Sequence, residues 1–186
     1  MKSRILATRF IRQIARLARD KRGVSAVEFA MLLPLMLTLY LGGVEVSQGV
    51  SVDRKVTMTA RAVADLAAQS TSINNTEMTN ILDAATAVAS PYPVSLLKVI
   101  VSSVQIDAQG NAKILWSDAR NTTARAVNQV VAIPQALAIP NSTLIWGEVS
   151  YSYTPTIGYV VTGTLNLQDH IYMRPRLSTS VTRVTS

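Results

Sequence analysis

Hydrophobic and polar positions change rhythm several times along this chain, and each rhythm predicts a different element. Residues 24–44 are apolar almost throughout, with Glu28 as the single charge. At about 1.5 Å of rise per residue, a helix of this length covers a hydrocarbon core of about 30 Å, so the pattern predicts a transmembrane helix. Pro34 lies in its first half, and the missing N–H predicts a local kink. Lipid-embedded helices tolerate such a residue. Over residues 45–69, Val52, Val56, Thr59, Val63 and Leu66 recur at helical spacing, with Ala60 and Ala67 widening the stripe. Gly49 is the only weak point between the two patterns, so one long helix is expected to continue from lipid into water.

Beyond it, residues 70–76 are a polar break. Thr76 is the expected cap of a short helix through Ala89, with Met78, Ile81, Leu82 and Ala85 on its apolar face and Pro91 and Pro93 ending it. The rest reads mainly as strands. Residues 98–107 are rich in Val and Ile, and Asp107 to Asn111 gives a turn signal around Gly110. Ala112, Ile114 and Trp116 then alternate with Lys113, Leu115 and Ser117, which predicts a hairpin. Residues 122–132 carry a weak helical pattern. Ile145, Gly147, Val149, Tyr151 and Tyr153 alternate with polar or outward positions in a clear period of two, and residues 171–184 predict a last strand with Pro175 near its start. The expected fold class is α+β: a long N-terminal helix packed on a mainly antiparallel β-sheet.

Charge changes the picture at one place only. The chain carries a net charge of +7, and residues 1–22 hold eight basic residues and one acid, which accounts for all of it. The remaining residues are balanced, so the basic pI describes a leader and not a nucleic-acid-binding domain. The leader's apolar positions (Phe10, Ile14, Leu17, Ala18) suit either a short amphipathic helix on an anionic leaflet or a solvated arm. Basic residues before the span put the N-terminus in the cytoplasm and the bulk of the chain outside. No A-x-A-like site follows the apolar run, which favours a retained anchor over a cleaved secretory signal.

The junction between leader and span carries the most specific pattern: Gly23 ends the basic run, Glu28 follows five residues later, then Phe29, then the apolar segment. A glycine lets a protease approach the backbone closely, and an acid near the edge of a membrane span favours a cationic partner. The junction resembles a prepilin-peptidase site, with cleavage between Gly23 and Val24, Glu28 at the fifth mature position and Phe29 at the sixth. The wider run, with its Gly-x-x-x-x-Glu-Phe-Ala start, Pro34 inside the apolar segment, and Gly43 and Glu45 near its end, resembles the TadE/TadG-like family over about residues 20–70.

That resemblance implies a pilin-like architecture and a minor pseudopilin or assembly component of a Tad-type (Flp, tight adherence) pilus or secretion machine. It implies a bacterial inner-membrane, single-pass protein with a periplasmic domain. Its partners would be membrane lipid, a prepilin peptidase and other pilins or assembly proteins, and Glu28 would meet the N-terminal amine of a neighbouring subunit. The implied organisation is a basic cytoplasmic leader at 1–23, a transmembrane helix at 24–44, its extension at 45–70 and a periplasmic α+β domain at 71–186. The alternative is an uncleaved, membrane-anchored periplasmic scaffold or binding domain. A third reading is a secreted domain released by signal peptidase beyond about residue 43.

Enzymatic signals are missing from the sequence. There is no cysteine, one histidine (His170), and no HExxH, GxSxG, P-loop or GxGxxG motif. The turn at Asp107 is too short for a calcium loop. Trp116, Trp146, Tyr151 and Tyr153 suit a ligand patch or, more ordinarily, a core. No cofactor, metal, nucleic acid or small-molecule substrate is expected.

Overall fold

The computed structural model describes residues 22–158 and 162–184. The basic leader, with its expected amphipathic helix, lies outside the described residues except at its last positions. The chain divides into two compact units, residues 1–44 and 45–186.

Helix α1 (Arg22–Ala68) takes up the described part of the first unit and continues into the second. A two-residue strand β1 (Ser72–Ile73) precedes α2 (Asn75–Ala89). Five strands then form the main sheet: β2 (Leu97–Ile106), β3 (Ala112–Arg120), β4 (Val130–Val131), β5 (Ser142–Tyr153) and β6 (Leu165–Met173). Their order is β4-β3-β2-β5-β6 and every pairing is antiparallel. A final strand, β7 (Thr182–Arg183), pairs parallel with β1. The α+β class and the long helix on an antiparallel sheet are as the periodicity predicts.

Within the second unit, α1 buries Val52, Val56, Ala60, Val63, Ala64, Ala67 and Ala68 against the sheet. The run of alanines matters because β5 passes very close. A Cβ on Gly147 would lie 2.9 Å from the Ala60 carbonyl oxygen and 3.0 Å from the Ala64 Cβ. The buried stripe therefore runs through Ala60, Ala64, Ala67 and Ala68 and leaves Leu66 partly exposed, a shift from the expected stripe. Leu97, Val99 and Val101 of β2, with Ile145, Val149, Tyr151 and Tyr153 of β5, complete this core.

Helix α2 is capped by Asn74, not Thr76. The Asn74 side chain accepts from the Glu77 N–H, and the Glu77 carboxylate accepts from the Asn74 N–H, each at 2.8 Å. This reciprocal pair satisfies two otherwise orphaned donors, which a threonine two residues later cannot do. The apolar face is as expected, with Met78, Ile81, Leu82 and Ala85 buried.

Three further expectations are corrected. Residues 122–132 are not helical. This segment runs beside β3, with Ile114 donating to Gln129 (3.0 Å) and Asn128 donating to Ile114 (2.8 Å). Asn128 has a left-handed backbone (φ 65°), which breaks any helix there, and Val127 and Val130 point outward. The last long strand is β6, which begins at Leu165 and stops before Arg174, because Pro175 has no N–H to donate to a ladder. Residues 174–184 are instead a tail that reaches the end of α1 and β1.

The third correction concerns the hairpin. Ser103 pairs with Trp116 but Val104 pairs with Ile114, so Leu115 is an extra residue in β3. This bulge resets the alternation. Ile114 and Ala112 enter a second core on the face away from α1, with Val104, Ile106, Leu144 and Trp146. Trp116 turns to the helix side, where its Nε1 donates to the Val181 carbonyl at 2.7 Å.

Candidate membrane anchor and processing junction

The first unit offers a single chemical feature, an apolar helical surface. Among the described residues, α1 is the one helix long and apolar enough to cross a membrane, and the most apolar window in it has no buried residue. Val24, Val27, Phe29, Met31, Leu32, Leu35, Met36, Leu39 and Tyr40 all expose most of their side-chain surface. A solvated surface of this kind is unfavourable at about 25 cal/mol per Å², so it calls for lipid or protein around it. Pro34 sits inside the helix, and Thr38 Oγ1 donates to the Pro34 carbonyl at 2.9 Å. The hydroxyl is thereby satisfied within the helix, as a polar group in hydrocarbon requires. The helix is compatible with a single-pass membrane anchor.

The junction residues Gly23, Val24, Glu28 and Phe29 all lie in the first turns of α1 and are exposed. Val24 and Glu28 are four residues apart and so occupy one face, one turn from each other. Phe29 lies on the next face and exposes 58% of its surface. A Cβ added to Gly23 would meet nothing within 4 Å, so nothing in this packing demands a glycine there.

The other residues singled out by sequence are dispersed. Trp116, Tyr151 and Tyr153 fill the helix-side core, while Trp146 belongs to the opposite one, so the four aromatics form no common patch. His170 is exposed on β6, opposite Glu148 in register and edge-on to Tyr172 at 5.6 Å. Asp107 closes its turn by accepting from the Gln109 and Asn111 N–H groups, at 3.0 and 2.8 Å. The Asn111 contacts hold its carboxyl below the ordinary range. Among the described residues, no group of three or more His, Asp or Glu side chains could hold a metal ion.

One feature went unread in the sequence. On the face away from α1, the Arg125 guanidinium pairs with both Glu148 oxygens at 2.9 and 2.6 Å and lies 4.1 Å over the Trp146 ring, which stacks on Tyr172 at 5.3 Å. Hydrogen bonding to Glu148 raises the Arg125 pKa further. Arg125 comes from the irregular segment, so no local pattern pointed to Glu148. Glu45, named in the sequence as part of the family pattern, is buried to 1% exposure at the start of the second unit and raises the Tyr153 phenol's pKa, behind the larger effects of burial and Tyr92.

Residues 23–65 match the family model described as TadE-like protein, a match that starts at Gly23 and takes in the whole apolar span. This is a TadE-like segment. No curated protein and no solved structure matches the chain. The TadE-like family is a pilus-associated structural family, and the match points to a component related to the Tad pilus. The match ends within α1, so the sheet and its second core lie outside the TadE-like segment.

Proposed function

We propose that this chain is a minor pseudopilin or assembly component of a Tad-type (Flp) pilus, non-enzymatic and processed by a prepilin peptidase between Gly23 and Val24. Residues 1–23 are the leader that stays in the cytoplasm, 24–44 span the inner membrane, 45–70 extend the helix, and 71–186 form a periplasmic domain that contacts other pilus components. The observation that carries the reading is the TadE-like match over residues 23–65, which begins at the proposed cleavage point.

Gly23 adds support. A glycine inside a helix costs about 1 kcal/mol relative to alanine, and here no neighbour needs the missing Cβ. A demand from outside the fold, such as a protease drawing close to the backbone, accounts for it. Cleavage would remove the +7 of the leader and leave a new amine on Val24, one turn from the exposed Glu28 carboxylate. In a neighbouring subunit the same amine is a partner for Glu28, which would fix axial register.

A specific observation favours the alternative, an uncleaved scaffold. The bond between Gly23 and Val24 lies within α1, and a protease must unwind that turn to reach it. The mature N-terminus, read by mass spectrometry on protein from its native membrane, separates the two. A chain beginning at Val24 supports the pseudopilin. A chain beginning at Met1, in a strain with an active prepilin peptidase, overturns the processing step and leaves the scaffold.

A further inference from the structure

Strand register sorts the side chains on the face of the sheet away from α1 into rows. Leu97, Val99, Val149 and Tyr151 enter the helix-side core, so their neighbours Lys98, Ile100, Glu148 and Ser150 alternate to the other face. Lys98 of β2 stands opposite Ser150 of β5, which stands opposite Gln168 of β6. The next row is Ile100, Glu148 and His170, and the one after it Ser102, Trp146 and Tyr172. Val131, Ile133 and Leu137 pack over the part of this face around Trp146. The first two rows lack that cover: Lys98, Gln168 and His170 are exposed, and with Thr122 they line a hollow of about 210 Å³.

Donors in this hollow outnumber the acceptors left for them. Among the described residues, no hydrogen bond or ion pair reaches the Lys98 ammonium, the Ser150 and Thr122 hydroxyls, the Gln168 amide or the His170 ring nitrogens. The two acids that line it are already engaged. Glu148 holds the Arg125 guanidinium through both oxygens, at 2.9 and 2.6 Å. Asp169 alternates to the helix side with Val149, and its carboxylate accepts from the His170 N–H at 2.8 Å. Lys98 is thus the unpaired charge, with neutral donors in line beside it. Unfilled donors and filled acceptors suit a ligand that brings acceptor oxygens and a negative charge.

We propose that this hollow binds a carboxylate, with the Lys98 ammonium as its ion-pair partner and Ser150 and Gln168, in the same row, donating to its oxygens. Neighbouring strands lie about 4.8 Å apart, so the row spans about 10 Å, enough for one carboxylate and a short carbon chain. Pockets for whole drug-sized ligands run to about 300–1,000 Å³. A hollow of about 210 Å³ instead takes a group the size of an acidic side chain, with Ile100 as an apolar floor for its methylenes. One unpaired cation balances a single negative charge. A phosphate dianion would need a second, and Arg125 is already committed to Glu148. The same chemistry is offered by an Asp or Glu on a partner chain and by a small free carboxylate. The site lies wholly in the second unit and does not depend on processing at Gly23.

His170 is the only histidine in the chain, so its ring gives one set of NMR signals from inside the hollow. The full chain in detergent micelles, at fixed pH and ionic strength, is titrated with glutarate and separately with the blocked peptide acetyl-Glu-Glu-Glu-amide. The expected result is a saturable shift of the His170 signals. Affinity should fall about ten-fold in Lys98→Gln, as loss of one charged hydrogen bond implies. Lys98→Arg, which keeps the charge, should retain most of it. Lys113→Gln, which removes the same charge from β3, should bind as the native chain does. Tighter binding of the peptide than of glutarate assigns the site to an acidic segment of a partner, and the reverse assigns it to a free carboxylate. Shifts that grow linearly without saturating overturn the carboxylate site, as does a Lys98→Gln chain that binds as tightly as the native one. Tighter binding of inorganic phosphate than of both carboxylates overturns it too.

Discussion

Gly147 of β5 lies against Ala64 of α1 with space for a hydrogen and nothing larger: an added Cβ would stand 3.0 Å from the Ala64 Cβ and 2.9 Å from the Ala60 carbonyl. The backbone oxygen cannot swing aside, so relief requires helix and sheet to separate. Gly147→Ala is expected to destabilise the full chain by about 1–3 kcal/mol, the usual cost of overpacking. Urea unfolding in detergent, followed by tryptophan emission, measures it. An unchanged midpoint would show that the helix does not seat on β5 as described. In the sequence Gly147 looked like one more small residue in an alternating strand, because close approach is a property of two elements and not of one.

Arg183, near the C-terminus, ties four segments together. Its guanidinium donates to both Asp118 oxygens at 2.9 and 3.2 Å, to the Ile73 carbonyl at 3.2 Å and to Asn75 Oδ1 at 2.8 Å. Both charged side chains are partly shielded from water, at 12% and 27% exposure. Arg183→Ala is expected to cost about 2 kcal/mol, in the range for hydrogen bonds to charged groups. Arg183→Lys should recover only part, since a point ammonium cannot make the bidentate fork. A double-mutant cycle with Asp118→Ala checks the coupling, and additive losses would refute it. The same tail supplies the Arg176 N–H to the Ala68 carbonyl at 2.9 Å and an ion pair from Arg176 to Asp65. It thus satisfies the end of α1, which has no basic residue in its last turn.

Alkaline pH should loosen the helix-side core. Burial, with a smaller effect of Tyr92, raises the Tyr151 and Tyr153 phenols above the ordinary value of 10.0, and Glu45 adds to the shift at Tyr153. A raised folded pKa means that the native state keeps its phenol protons where the unfolded chain releases them. The resulting stability is intact below pH 10.0 and is lost as pH rises through the folded values. The unfolding midpoint is expected to fall above that pH, and more steeply in the native protein than in a Tyr151→Phe, Tyr153→Phe variant. Parallel pH slopes for the two would count against burial of these hydroxyls.

Much of this protein follows from sequence alone. The apolar run at 24–44, the helical stripe from Val52 to Ala67, the apolar face of α2 and the hairpin around Gly110 are local patterns, repeated often enough in the chain to fix an element without its neighbours. The proposed junction at Gly23, Glu28 and Phe29 is likewise a linear pattern. Tertiary structure decided the rest. Leu115 as a bulge sends Trp116 and Ile114 to opposite faces, although counting by twos puts them on the same one. Residues 122–132 give up a weak helical pattern because β3 offers backbone hydrogen bonds to Gln129 and Asn128. The parallel pairing of β1 with β7, and the groove that Val46 shares with Tyr153 and Leu165, join residues about a hundred positions apart. Periodicity records how one segment divides water from apolar surroundings; which surface it then meets depends on contacts between distant segments, whose energies appear only once the chain has closed on itself.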